Sequence, residues 1–562
     1  MKQLIKIDNA CFVEDTIDFK TIYKKFNTDD SLYIPLDIKT LLLCKKYNVK
    51  IFDFNKYLDN DFHFKANRET KKFTETLRFE KQIHYSLRSE IIGALRFRLH
   101  SVILIIEIVQ FLLNEFKIKK FVVSGIKKRT HVLHYSKICS EIIEELFPDY
   151  TYSINDKYLF ESDKGIYKYY PKKKILNKEK KICISNGGYN FKRICKLFKS
   201  EKFQIILPNF EKITLFKKLI YFIRGIKVVD FYQRKEDFIE KQYFIKKINF
   251  LYQNKFDLSF LLNNFYEKLN FYFNDLHQKM TSLKIFLNAS NFDLLISNIS
   301  RGLDGSILDS DIKNTTLCIP HGIISKSFTK NDELYKKNIA EGVFNGESKF
   351  FAIQSKITEE SLQTHKLNGK IIQTGNLVFS YFKKKDNINK KYILYATTLK
   401  SFSNLQYLGV DMFYEYWNIL EDLNDISKKR GKTILVKIHP QFRSCKKEFA
   451  KFFDNLKFSN QRIDQLLHKS YAAIGFSSGA IEDALNSRVP VILYDPKCRY
   501  KQMNCYKKEN KEKAVNYINK KEELEYILEK IKNVKKFNFE SYVYENNMKE
   551  VFYDKILPLT KK

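Results

Sequence analysis

Short apolar runs recur along this chain, separated by longer stretches in which apolar residues return every three or four positions. The short runs are rich in Ile, Val, Phe and Leu and predict buried strands. In the first part they are Leu4–Ile7, Ser31–Pro35, Val49–Phe52, Lys120–Val123, Ile182–Ser185, Gln204–Leu207, Lys227–Asp230, Asp293–Ser297 and Thr316–Pro320. Later come Phe350–Gln354, Lys370–Thr374, Tyr392–Thr397, Thr433–Ile438, Ala472–Phe476 and Pro490–Tyr494. Amphipathic segments such as Met412–Lys429 lie between them. Strand–helix alternation predicts parallel sheets covered on both faces, an α/β fold. The second half reads as one doubly wound domain. The first half carries a long helical insertion at about 66–117.

The polar run Lys330–Asn338 suggests a boundary. The predicted domains are an N-terminal unit at 1–335, a C-terminal unit at 345–535 and a helical tail at 536–562. The tail is rich in Tyr and Phe that it cannot bury alone, so it should pack back on the first domain.

Charge and composition change this picture little. Over 562 residues the chain has 100 Lys+Arg against 65 Asp+Glu, a net charge of +35. With 44% hydrophobic residues, global disorder is excluded. The bias toward Lys, Asn, Ile, Phe and Tyr matches low-GC codon usage, which accounts for part of the charge. Lysine runs such as Tyr170–Lys174 and Phe382–Lys385 have no nucleic-acid-binding module around them. No nucleic-acid partner is expected; peripheral contact with the anionic inner membrane is. The nine cysteines are scattered without a C-x-x-C, as reduced buried thiols in a cytoplasmic protein would be. The N-terminus shows no secretion signal, and Ser101–Leu113 is too short to span a bilayer, so it predicts a buried helix.

Candidate chemistry sits at predicted strand ends. Ala472–Phe476 runs into Ser477-Ser478-Gly479 and then a helix carrying Glu482. Free N–H groups there, with two hydroxyls and a glycine, suit a phosphate, and Glu482 a sugar hydroxyl. The plain alternative is a serine N-cap. The same stretch spells G-x-S-x-G, but His468 is the last histidine and precedes Ser477, which excludes an α/β-hydrolase triad order. Thr433–Ile438 ends in His439-Pro440, with Lys437 two residues before the imidazole. Thr316–Pro320 ends in His321-Gly322. Gly375-Asn376 and Thr397-Thr398 follow two further strands, and Gly187-Gly188 follows Ile182–Ser185. Each is a ligand-type position, and each is also an ordinary turn. Asp309-Ser-Asp311 lies before a strand and not at its end, and His131-x-x-His134 lacks companions, so no metal site is expected.

In their order, His321-Gly322, Thr374-Gly375-Asn376, His439-Pro440, Ser477-Ser478-Gly479 and Pro490-Val-Ile492 resemble bacterial GT-B transferases of surface polysaccharide. The patterns are similar to CDP-glycerol glycerophosphotransferase-like enzymes and to capsular sialyl- and Kdo-transferases, over roughly 290–500. The resemblance implies a GT-B fold, two facing Rossmann-like doubly wound domains. It implies a glycosyltransferase using a CMP- or CDP-linked nucleotide sugar and a glycan or lipid-linked acceptor, without metal or other cofactor. Its motifs map onto His321, His439, Ser477 and Ser478; the strand-end reading adds Lys437, Gly479, Glu482, Thr397, Thr398, Gly375 and Asn376 as donor-binding candidates, and Gly187 and Gly188 as acceptor-side ones. His439 is catalytic in this reading, with His321 or Asp304 as the acceptor-side base. The chain reads Ile474-Gly-Phe-Ser-Ser478 where the glycerophosphotransferases have Thr-Asp-Tyr-Ser-Ser. The acidic-acidic-Gly motif of the sialyltransferases is approached, imperfectly, by Leu303-Asp304-Gly305 and Ala340-Glu341-Gly342. The alternatives are a nucleotide-sugar epimerase, a non-catalytic scaffold of the same fold, and a basic nucleic-acid-binding protein.

Overall fold

The structure is a computed structural model. It describes the chain apart from residues 1–4, 54–56, 58–59, 81–82, 125–126, 129–137, 155–157, 160–164, 173–179, 187–190, 321, 323, 329, 345, 366, 379–389, 397–412, 432, 477, 499–502, 504–512, 535, 546 and 561–562.

Three largely parallel sheets organise the described residues, the two larger ones doubly wound as the α/β reading expects. The first contains β1 (Ile5–Val13), β2 (Ser31–Pro35), β3 (Phe116–Val123) and β4 (Thr151–Ser153), parallel and ordered β2-β1-β3-β4. Its helices start where polar caps allow. Asp15 accepts the N–H groups of Ile17 and Asp18 at the head of α1 (Thr16–Phe26). Asp37 and Thr40 form a capping box on α2 (Ile38–Lys46). The predicted strand Val49–Phe52 shrinks to a single bridge, Tyr33 to Ile51. The helical insertion is α3 (Asn60–Thr76) and α4 (Tyr85–Glu115), between β2 and β3. On α4, Val102 through Ile106 are completely buried. Each such Ile or Leu contributes about 1.5–3 kcal/mol. No helix of the described residues is long and apolar enough to cross a membrane.

The second sheet has eight strands: β5 (Ile166–Pro171), β6 (Lys181–Ile184), β7 (Gln204–Asn209), β8 (Ile226–Ile239), β9 (Leu294–Ser297), β10 (Thr316–Cys318), β11 (Phe350–Ile353) and β12 (Lys370–Gln373). Their order is β12-β11-β10-β9-β6-β7-β8-β5, parallel except for edge strand β5. Helices α5 (Lys192–Ser200), α6 (Leu215–Ile223) and α7 (Ser259–Ala289) belong to its connections. The 31-residue α7 was not expected; it packs with α4 in a continuous core that runs from the first sheet to the third.

The third sheet is wholly parallel: β13 (Tyr392–Tyr395), β14 (Ile434–Lys437), β15 (Lys457–Ser459), β16 (Ser470–Gly475), β17 (Val491–Tyr494) and β18 (Val515–Ile518), ordered β15-β14-β13-β16-β17-β18. Parallel strands buried on both faces explain the unbroken apolar runs YILY, ILV and VILY.

These pairings correct the predicted boundaries. Phe350 and Phe351 of β11 pair with Leu317 and Cys318 of β10, and β12 continues that sheet. The polar run Lys330–Asn338 is therefore part of a helix, Lys330–Glu341, connecting two strands of one sheet. Charge alone does not distinguish such a helix from a linker, and here even Lys336 is buried. The chain leaves the second sheet after Gln373 and enters the third at Tyr392. Residues 1–335 likewise comprise a separate four-stranded sheet and most of the second.

The tail leans on both larger sheets. Phe552 and Ile556 join the core of Ile182, Ile194 and Phe198, and the Lys555 ammonium donates to the Gln373 carbonyl at 2.7 Å. Upstream, Tyr542 and Val543 pack with Leu394 and Leu485. Eight described cysteines are free thiols, all buried but Cys498.

Candidate functional site

In a doubly wound sheet, neighbouring strands at the point of reversal send their loops to opposite faces, which opens a crevice beyond their carboxyl ends. In the third sheet that point lies between β13 and β16. Tyr395 pairs with Val436 on one side and Ile474 on the other, so three strands end level. Gly475 keeps them close: a Cβ there would stand 3.2 Å from the Ala396 carbonyl oxygen. The residues picked from the sequence as Thr397, Thr398 and Ser477 follow these ends directly, but they lie outside the described residues.

Ser478 and Gly479 are described. The Ser478 hydroxyl accepts the Ala480 N–H at 3.2 Å, and Gly479 caps α10, numbered after α8 (Lys356–Ser361) and α9 (Phe413–Lys429), a helix of two turns at Ala480–Asn486. Ser478 thus closes a local turn and is not itself the N-cap, and so short a helix has little dipole to offer. One strand away, the Lys437 ammonium donates to the Ile438 carbonyl at 2.9 Å. Burial, helped by Arg443, lowers its proton affinity. His439 is half-buried, its ring 6.4 Å from that of Phe442.

The sequence reading missed a cleft of about 460 Å³ on the α9 side of these strand ends. Tyr395, Tyr416, Phe476 and Tyr494 give it aromatic walls, and Asp53, Glu415, Glu421, Asp422 and Asp495 give it carboxylates. The Tyr494 hydroxyl donates to Asp422 at 2.7 Å and that of Tyr517 to Asp495 at 2.9 Å. The signal was Tyr494-Asp495 at a strand end; the α9 carboxylates reach it only through folding. Aromatic faces with carboxylate acceptors suit a ring bearing hydroxyl groups.

The second sheet reverses between β6 and β9. There the Asn186 amide donates across the split to Asn298 at 3.3 Å. Ser297 Oγ donates to the carbonyls of Ile299 and Asp304 at 2.9 and 2.7 Å, holding the turn that presents Asp304. Burial raises the Asp304 carboxyl to about 6; Asn186 opposes this, while Glu90 and Glu211 add to it. A crevice of about 270 Å³ opens here, lined by Asn186, Asn209, Lys212, Lys217, Tyr221, Lys279 and Asp304 among others. A carboxylate of this strength is ionised at neutral pH yet basic enough to accept a proton. Gly187, Gly188 and His321 lie outside the described residues.

Two picks need correction. Gly375 and Asn376, read as donor-domain residues, follow β12 of the second sheet. Gly375 takes a φ of +62°, and Asn376 accepts a bond from Arg193 at 3.4 Å. Glu482, read as a sugar contact, is fully buried. Its Oε1 accepts from Ser355, whose hydroxyl also accepts the Thr358 N–H at the head of α8. Burial, helped by Asp483, raises the Glu482 carboxyl to about 8. Glu482 fails as a ligand contact because the loop after β11 covers it. The same contact brings the carboxyl ends of β11 and β16, hence of the second and third sheets, together.

The D-x-D pair is occupied by the fold. Asp309 accepts from Ser86 at 2.7 Å, and Asp311 contacts Lys284 and, at 3.2 Å, His84. Among the described residues no three His, Cys, Asp or Glu cluster as metal ligands. His131 and His134 are outside the described residues.

No protein-family model matches the chain, and no curated protein does. Among solved structures it is similar to UDP-GlcNAc 2-epimerase from Methanocaldococcus jannaschii, at 14% identity over 66% of this chain and 96% of that one, TM-score 0.37. It is similar to TarM of S. aureus, at 10% identity over 68% and 99%, TM-score 0.39. It is also similar to the wall teichoic acid polymerase TagF, at 12% identity over 68% and 84%, TM-score 0.34. At such scores these likenesses add nothing to the assignment, which rests on the strand order and residues of the chain itself.

Proposed function

We propose that the chain is a glycosyltransferase. It moves a sugar or polyol phosphate from a CMP- or CDP-linked donor to a surface-polysaccharide or lipid-linked acceptor, without a resident metal. The observation that carries this reading is the pair of switch-point crevices on two parallel sheets whose carboxyl ends meet at Ser355 and Glu482. One crevice has aromatic and carboxylate walls; the other has a carboxyl tuned to about 6.

The donor's hydroxyl-bearing rings occupy the third-sheet cleft, with its phosphates toward His439, Lys437 and the turn at Ser477–Gly479. Asp304, or His321, takes the proton of the acceptor hydroxyl. The freed oxygen attacks the donor's transferred group, and the bond to the nucleotide phosphate breaks. The leaving phosphate gains negative charge, which His439 and Lys437 neutralise.

The test is a panel of CMP-, CDP-, UDP- and GDP-linked donors, measured for binding and for hydrolysis with and without EDTA. Binding of a cytidine donor that survives EDTA supports the proposal. His439→Ala should lower turnover by about 10²-fold or more with an unchanged circular dichroism spectrum. Full activity in that variant overturns the phosphate assignment, and binding of no donor favours a scaffold.

A further inference from the structure

Helix α6 is amphipathic in the opposite sense from a globular surface helix. At 100° per residue, Leu215, Phe216, Leu219, Phe222 and Ile223 share an arc of about 120°. That arc faces solvent: their exposures are 86, 72, 54, 78 and 67%. No residue of the helix is buried. It is nonetheless a built element. Thr214 caps it by accepting the Lys217 N–H at 3.3 Å, and Gly225, at φ +72°, follows its end. Its other side serves the second-sheet crevice, where Lys217 and Tyr221, one turn apart, form part of the lining with Asp304.

We infer that α6 docks in the surface of an anionic lipid bilayer and delivers a lipid-linked acceptor into the crevice beside Asp304. The acceptor half rests on the transferase reading above; the docking half does not. Five contiguous large apolar side chains are more than a solvated surface helix keeps exposed. The chemistry around them selects the occupant. The helix and its flanks carry Lys212, Lys217, Lys218, Arg224 and Lys227 against Glu211 and Asp230, on a chain of net charge +35; Lys218 adjoins the apolar arc, while Lys217 faces the crevice. Exposed aromatic and aliphatic side chains on a cation-rich segment match the acyl boundary beneath anionic headgroups. A second copy is the poorer occupant, because a two-fold contact through this face sets one basic segment against another.

The experiment is co-sedimentation of the full chain with phosphatidylcholine vesicles, with and without phosphatidylglycerol. The wild type should sediment with the anionic vesicles and be released by salt. Leu215→Ser/Phe216→Ser/Phe222→Ser should lower the partition coefficient by about tenfold or more. Its melting temperature and nucleotide-donor binding should not change, because the three side chains are exposed. Equal partitioning of wild type and variant, or no binding by the wild type, overturns docking. So does a wild-type dimer in light scattering that the variant turns into a monomer. If the variant loses vesicles while the wild type binds no nucleotide donor, docking stands, and the transferase reading and the acceptor half fall.

Discussion

Replacing Glu482 by Gln tests whether the contact between the second and third sheets carries a neutral acid. The buried carboxyl titrates near 8 against an ordinary 4.5, a difference of about 3.5 pH units. At 1.36 kcal/mol per unit, the cost of that burial has a ceiling of about 5 kcal/mol. The sign follows from proton binding. The native state holds this proton more tightly than the unfolded chain, so native stability is greatest below pH 4.5 and falls as pH rises through about 8. Glutamine keeps an oxygen for the Ser355 hydroxyl and carries no charge at any pH. Thermal melts of wild type and Glu482→Gln at pH 5 and pH 8.5 should nearly coincide at the lower pH. At the higher pH the variant should be the more stable, by several degrees. A gap independent of pH, or a variant less stable at pH 8.5, would refute the argument that desolvation dominates at this site.

Two further outcomes are expected. With Asp304 as the acceptor-side base, turnover should fall about tenfold per pH unit below 6, and Asp304→Asn should remove that limb while donor binding persists. Steady-state rates against pH, beside donor titrations, read both; an unchanged pH profile in the variant would return the role to His321. Gly475→Val should cost about 1–3 kcal/mol in urea unfolding and weaken donor binding, because its Cβ would meet the Ala396 carbonyl at the switch point.

Much of this protein is legible in its residues taken one stretch at a time. Runs such as ILVK, SYAAIG and VILY report burial on both faces and so a parallel sheet, because the environment that selects them is local to the strand. The insertion α3–α4 showed itself by its length and its apolar run. Strand-end residues at His439 and Ser478 were found because turns need small or polar residues whatever the fold. The fully buried Val102–Ile106 likewise agrees with a helix too short in apolar length to span a bilayer.

Other features depend on partners distant in sequence. Whether β11 belongs with β10 or with β13 is decided by pairing, and neither strand's composition records it. Glu482 looked like a ligand contact until Ser355, 127 residues away, covered it. Asp304 became a tuned acid through burial beside Asn186, 118 positions earlier. Helix α6 shows the limit most directly: its sequence determined one apolar face, as in any amphipathic helix, and only tertiary packing decided that this face points outward. Periodicity specifies which residues share a side; which side meets water depends on what the rest of the chain brings to it.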